Sequence, residues 1–295
     1  MNNQNLKNTF YKSRTLVGRL STSFSFLHDH LLLFIKLSLY ILGPLAVIQG
    51  IASVYYGFIS PDFVFSVSHY VIMAFMFVLI IITTCVYNSL LYTLLQKYSS
   101  SNFLPVYKNL MEIKEPLIKN AKKLLVVGVV IGVIVVLLGL LSVFLASLTP
   151  YTLIITLPLL FFIFLPFSYT GYIYVFEEIT LLAALKKSFK VGIKYWGGTF
   201  VILFFISIPA GIIQLICSLP YILGVTVVSL VASSVTVGDV VNLPWYYSLL
   251  IFLLTIISFL GSYLAQIFIV IPMGFQYGNV EAVQKEQFLI QQELN

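Results

Sequence analysis

Charged side chains are scarce in this chain: Asp, Glu, Lys and Arg together make up 9% of 295 residues, against about 25% in ordinary soluble domains. A soluble globule of this length would have too few charges to cover its surface. The charges are also clumped, with none between Lys123 and Glu177, between Lys194 and Asp239, or between Asp239 and Glu281. Since about 20 apolar residues cross the hydrocarbon of a bilayer, each gap reads as membrane-spanning chain, and the first holds two spans. Cysteine is nearly absent. Cys85 and Cys217 lie within apolar runs, which excludes a disulfide framework and makes them small hydrophobes. Histidine occurs three times. On a helix, His28 and His30 point about 200° apart, and His69 belongs to the opposite membrane face. A zinc site needs three or four convergent ligands, so no metal site is expected. The opening MNNQNLKNTFYKSRTLVGRL is polar and basic, with no apolar core before a cleavage site. No cleavable leader is expected, and the first span would serve as the targeting signal.

What the chain has in abundance is apolar sequence, 60% of it. Six candidate spans emerge, at 37–58, 70–95, 124–148, 151–176, 199–232 and 245–275. Backbone polar groups must be satisfied internally in hydrocarbon, and these runs are too continuous for barrel strands, so they are helices. The expected fold class is all-α: a polytopic bundle of six transmembrane helices with cytoplasmic interfacial amphipathic helices. A segment 1–36 containing an interfacial helix would precede the 37–275 membrane domain, and a tail 276–295 would follow it. Six spans put all sixteen Lys and Arg residues on one side, leaving Asp62 and Asp239 as the fixed charges of the other. The positive-inside tendency then makes both termini cytoplasmic. The net charge of +6 suits anionic lipid headgroups and is not a nucleic-acid footprint. Two points stay open. Residues 199–232, carrying Pro209, Gly211, Pro220 and Gly224, form either one kinked helix or a span plus a half-helix. Lys285 alone anchors the tail, so seven spans with an external tail are the alternative.

The stretch AALKKSFKVGIKYWGGTF, residues 183–200, interrupts the apolar runs. Leu182, Leu185, Phe189, Ile193 and Trp196 recur at helical spacing, while Lys186, Lys187, Lys190 and Lys194 occupy the other faces. Such a helix lies in the interface, with apolar side chains among acyl chains and lysines at phosphate level, and Tyr195 with Trp196 suit the boundary. These four lysines and Trp196 are expected to anchor the membrane surface. Phe24, Leu27, Leu31 and Phe34 form a similar stripe before the first span, with Lys36 snorkelling, and residues 103–123 form a basic, partly amphipathic connection before the third.

Chemistry is harder to find. Glu177-Glu178 invite comparison with paired-glutamate intramembrane proteases, but Leu182 stands where their Arg should be and no His follows. Gly197-Gly198 lack the Lys-Ser/Thr that completes a phosphate loop. The span interiors hold no ionisable acid or base besides tyrosine and cysteine, which argues against acid–base catalysis and proton coupling. No catalytic residue, cofactor or metal is therefore expected. Gly128 and Gly132 form a small-xxx-small pair for close helix approach. Pro44, Pro158, Pro166, Pro209, Pro220 and Pro272 break backbone hydrogen bonds within spans. Kinked helices can enclose a midplane pocket, for which Gln49, Asn88, Gln214 and Gln266 are the candidate lining residues; the plainer alternative is that these amides bond neighbouring helices.

The passages SFKVGIKYWGGTF, LLLFIKLSLYILGP and IPMGFQYGNVE resemble a family of six-helix bacterial inner-membrane proteins of the Bacteroidetes type. That family is similar to the membrane domain of some glycerophosphodiester phosphodiesterases. The resemblance implies the six-helix fold but not the esterase activity, which belongs to a separate soluble barrel that this chain has no residues to build. The expected function is a non-enzymatic membrane protein: a scaffold, assembly partner or lipid-associated module, in contact with anionic lipid and other membrane proteins. The alternative is a small transporter or lipid-handling carrier using a cavity near the Pro-broken fifth helix.

Overall fold

A computed structural model describes residues 10–55, 67–101, 111–149, 151–236 and 244–293. Lys7, Asp62, Lys108 and Asp239, which the topology argument used, lie outside these, as does the side chain of His69. All regular structure among the described residues is helical. In order these are α1 (Leu16–Val54), α2 (Val67–Ser101), α3 (Met111–Leu148), α4 (Thr152–Phe164), a 3-10 turn (Leu165–Tyr169), α5 (Thr170–Phe176), α6 (Leu181–Lys194), α7 (Trp196–Thr236) and α8 (Trp245–Glu293). Six helical stretches are long and apolar enough to cross a membrane, the fourth being α4, the turn and α5 together. The chain is an all-α polytopic bundle.

The helices overrun the expected boundaries. Nothing between Leu16 and Lys36 breaks a helix, and every added residue closes another backbone hydrogen bond, so α1 passes the expected 36/37 boundary without interruption over 39 residues. The stripe assigned to acyl chains turns inward instead: Leu27 and Phe34 are buried in protein, and Phe24 and Leu31 are half-buried. The 275/276 boundary likewise falls inside α8, which runs for 49 residues, roughly 74 Å. The described part of the 103–123 connection, from Met111, is the first part of α3. Of the two forms left open for 199–232, the continuous one is found: α7 carries Pro209 and Pro220 within 41 unbroken residues.

Several hydroxyls inside the spans are satisfied locally by the carbonyl one turn back, whereas those of Thr156, Ser168 and Thr170 are buried without a hydrogen-bond partner. Ser38, Thr83, Thr93 and Thr255 donate to Phe34, Leu79, Ser89 and Ile251 at 2.6–2.7 Å, which lets an apolar helix carry Ser and Thr without an orphan donor.

Contacts divide the chain into two compact units. The first comprises Met1–His28, Asn88–Phe205 and Val270–Asn295. Its aromatic core is centred on Phe10, 1% exposed, which stacks on Phe176 at 5.8 Å and meets Phe275 at 5.4 Å. Gly278 makes this possible, since a Cβ there would sit 2.6 Å from the Phe10 carbonyl oxygen. The second unit comprises Asp29–Tyr87 and Ile206–Ile269. Leu42, Ala46, Tyr87 and Ile267 are fully buried in it, and Gly261 lies so close to Cys217 that a side chain would overlap it. Among the described residues, Lys36 is the one Lys or Arg of this second unit.

Candidate functional site

The polar machinery lies in the first unit and starts from α6. Its large apolar residues stand where the spacing put them, with Leu182, Phe189 and Ile193 exposed at 71%, 45% and 54%. The opposite face is made of small residues: Ala184, Ser188, Val191 and Gly192 are buried. They seat the helix on the 3-10 turn, where Ser188 Oγ donates to the Pro166 carbonyl at 2.8 Å. Gly192 touches the Pro166 backbone so closely that any Cβ would collide with it.

The four lysines do not act alike. Lys186 and Lys190 are exposed. Lys194 Nζ reaches Gln287 Oε1 on α8 at 2.8 Å and lies 5.4 Å from the Tyr195 ring centroid. Lys187 departs from the expected role at phosphate level. Its Nζ turns inward, between Glu177 at 2.7 Å and Glu281 at 2.9 Å, and Tyr277 donates to the same Glu177 at 3.0 Å. Burial pulls the Lys187 pKa down, but hydrogen bonds and charge from the two carboxylates outweigh it, and the net shift is upward. Held protonated, Lys187 is a poor base or nucleophile and a good tie between α6, the end of α5 and α8. Trp196 stacks on Phe162 at 4.8 Å and Phe200 at 5.4 Å, and its buried indole N–H has no hydrogen-bond partner.

Glu177 and Glu178, neighbours in sequence, serve different contacts. Glu178 takes a left-handed backbone, φ 53°, uncommon for a residue with a Cβ, and this parts the two carboxylates. The exposed Glu178 pairs with Lys119 of α3, which holds its carboxyl below the usual range.

Deeper in the same unit lies a network that the sequence pattern did not reveal. Thr199 Oγ1 donates to the Tyr195 carbonyl at 3.0 Å, so at the 2.5 Å contact between Tyr169 and Thr199 the phenol is the donor. Gln276, 0% exposed, donates to Tyr169 at 3.1 Å and accepts from Arg19 Nη1 at 2.6 Å. Asn279 Oδ1 accepts the Arg14 backbone N–H at 2.7 Å. The available signal was Gln276 and Asn279, two amides within an otherwise apolar stretch of α8.

At this end of the unit a cleft of about 760 Å³ opens. The last turns of α2, from Thr93 to Ser100, and the first of α3, from Ile113 to Asn120, form its walls, and Tyr11, Phe176 and Glu178 complete it. None of the four amides expected around a midplane cavity lines it. Gln49 is sealed in the second unit, with its Nε2 3.0 Å from the Tyr263 hydroxyl and 3.4 Å from Thr83 Oγ1. Gln214 is exposed and donates to Ser262 at 2.9 Å. Gln266 in the second unit and Asn88 in the first each bury a side-chain oxygen that has no hydrogen-bond partner. Gly128 and Gly132 face open space: a Cβ at either position would meet nothing within 4 Å. Cys85 and Cys217 are half-buried and form no disulfide. Among the described residues no group of three His, Cys, Asp or Glu side chains is placed to hold a metal ion. No family model, curated protein or solved structure matches this chain.

Proposed function

We propose that this is a non-catalytic, multi-pass protein of the bacterial inner membrane, with both termini cytoplasmic. Its lysine-rich end is a lipid-associated platform acting as a scaffold or assembly partner. The observation that carries this reading is the two-sidedness of α6: one face is fixed to the protein through Ser188 and Gly192, while Leu182, Phe189 and Ile193 stay exposed beside Lys186 and Lys190. Exposed apolar groups flanked by free-standing lysines match an acyl–headgroup boundary. The ion pairs of Lys187 further favour a structural role over a reactive one.

The test is depth measurement in nanodiscs containing anionic lipid, with spin labels at Leu182, Ile193, Lys186 and Lys190. Labels at 182 and 193 should be relaxed by oxygen, and those at 186 and 190 by a water-soluble nickel chelate. Equal chelate access at all four sites would remove the platform. A stoichiometric partner captured in mild detergent would distinguish assembly partner from lipid module.

The carrier reading is favoured by one observation, the orphaned buried oxygens of Asn88 and Gln266. At membrane depth such groups call for water or a ligand. Labelling of Gln266→Cys by a membrane-impermeant maleimide would support it.

A further inference from the structure

Arg19 is a charge without a counter-charge. Its guanidinium, half-buried on α1, gives two of its five N–H groups to neutral oxygens: Nε to the Thr15 carbonyl at 3.4 Å and Nη1 to Gln276 Oε1 at 2.6 Å. The carboxylates of Glu177, Glu178 and Glu281 are taken by Lys187 and Lys119, and among the described residues Arg19 has no ion-pair partner. A guanidinium cannot discharge by losing a proton, so a half-buried one with only neutral partners stays costly. Three of its N–H groups still call for an acceptor, and an anion meets both needs.

The groups around it are donors too. Tyr195, where α6 gives way to α7, buries a hydroxyl that has no hydrogen-bond partner. It lies within electrostatic reach of Tyr169, which shares Gln276 with Arg19. Gly198 lies against the guanidinium: a Cβ there would sit 3.4 Å from Nη1 and 3.8 Å from Gln276 Nε2. Gly197 is exposed, and a Cβ on it would meet nothing within 4 Å. Two adjacent positions without side chains leave the backbone here open to close approach. Thr199 is the first residue of α7 whose N–H reaches a carbonyl one turn back, which leaves the N–H groups of Gly197 and Gly198 unspent. Helix ends of this kind are common; one beside a guanidinium with no carboxylate and a phenol with no acceptor is not.

We propose that Arg19, Gly197 and Gly198 bind a phosphate group. A tetrahedral oxyanion suits them better than a planar carboxylate, because the guanidinium fork takes two of its oxygens while a third turns to the glycine N–H groups. Local sequence does not show a phosphate loop here because the cation comes from α1 and not from the residue after the glycines. The same group is presented by a phospholipid headgroup and by soluble phosphate or a phosphomonoester. The headgroup source rests on the membrane-surface reading above, since α6 leads directly into this site; the soluble source does not.

The test uses the full chain in mild detergent, titrated calorimetrically with inorganic phosphate and with acetate at matched ionic strength. Phosphate should bind about tenfold more tightly than acetate. Gly198→Asp sets a carboxylate beside Arg19 and should weaken phosphate by about tenfold or more. The same variant should melt at or above the wild-type temperature, since an acid in the first turn of a helix and an internal ion pair both stabilise. Loss of binding is thereby separated from loss of folding. Arg19→Lys keeps the charge without the fork and should weaken phosphate about fivefold. In parallel, native mass spectrometry from phospholipid nanodiscs should find phospholipid retained by the wild type and lost from Gly198→Asp. Phosphate binding without lipid retention identifies the soluble source, and retention without phosphate binding identifies the headgroup; either supports the site. Acetate binding as tightly as phosphate, a Gly198→Asp variant unchanged in both assays or melting well below the wild type, or the absence of both binding and retention would overturn it. Spin labels at Leu182 found in water would remove the platform reading and leave the soluble arm standing.

Discussion

Gly192→Ala is the sharpest probe of how α6 is held. The added Cβ would collide with the Pro166 Cα and lie 2.5 Å from its carbonyl oxygen and 2.8 Å from its carbonyl carbon, an overlap of more than about 0.8 Å with ordinary carbon–carbon contact. Backbone cannot swing aside as a flexible side chain can, so α6 must retreat by roughly 1 Å. That movement would stretch the Ser188–Pro166 hydrogen bond from 2.8 Å past the usual limit. Overpacking costs about 1–3 kcal/mol and the lost hydrogen bond about 1 kcal/mol, for a total of about 2–4 kcal/mol. The assay is thermal unfolding in nanodiscs followed by tryptophan fluorescence, because Trp196 sits two residues beyond the end of α6 and stacks on Phe162 and Phe200. Gly197→Ala is the matched control, with nothing within 4 Å of its Cβ, and it should be neutral or stabilising by up to about 1 kcal/mol. If both variants unfold within about 0.5 kcal/mol of each other, the seating of α6 on the Pro166 turn is wrong.

Lys187→Met leaves Glu177 and Glu281 facing each other without their cation. Because all three groups keep some solvent exposure, the loss should be about 1–3 kcal/mol, less than for a fully buried pair. The folded pKa of Lys187 is raised above its ordinary 10.5. Its contribution is therefore fully present below that pH and lost as pH rises through the folded value, so wild type and variant should converge in melting experiments above about pH 10.5. Gln276→Leu takes one hydrogen-bond partner from each of Arg19 and Tyr169, which keep their contacts to Thr15 and Thr199, and should cost about 1–3 kcal/mol by the same melting assay, with a Gln276→Leu/Arg19→Met double variant losing less than the sum. Gln49→Cys should resist an impermeant maleimide in unperturbed membranes, given its 0% exposure; rapid labelling would show that the Gln49–Tyr263 contact opens to water.

The spans were legible because membrane insertion is a bulk property: any long run without Lys, Arg, Asp or Glu carries the signal, whichever apolar residues fill it. Helix ends were less legible. Continuation of α1 and α8 into polar sequence changes no hydropathy average, and no Pro or Gly marks the 36/37 boundary. The outer face of α6 could be read from the spacing of Leu182, Phe189 and Ile193. Its inner face was equally periodic, in Ala184, Ser188 and Gly192, but small residues carry little hydrophobic weight and attract no notice beside four lysines. The inward turn of Lys187 was not legible, because one of its partners, Glu281, is 94 positions away. Local pattern cannot distinguish a lysine facing phosphate from one facing a distant carboxylate. The amides failed as a set for a related reason: sequence identified Gln49 and Gln214 as polar at depth, but only packing separates a sealed amide from an exposed one.

In α3 only 11% of the most apolar stretch is buried inside the protein, and Gly128 and Gly132 meet nothing. In a bilayer, lipid would solvate most of this stretch, and lipid tails do not discriminate among Val, Leu and Ile. Selection on its outer positions reduces to staying greasy, so they can drift freely while Asn120 and Lys119 at the helix's start cannot. Deep mutational scanning of α3 should accordingly look like two proteins joined end to end, one tolerant and one exacting.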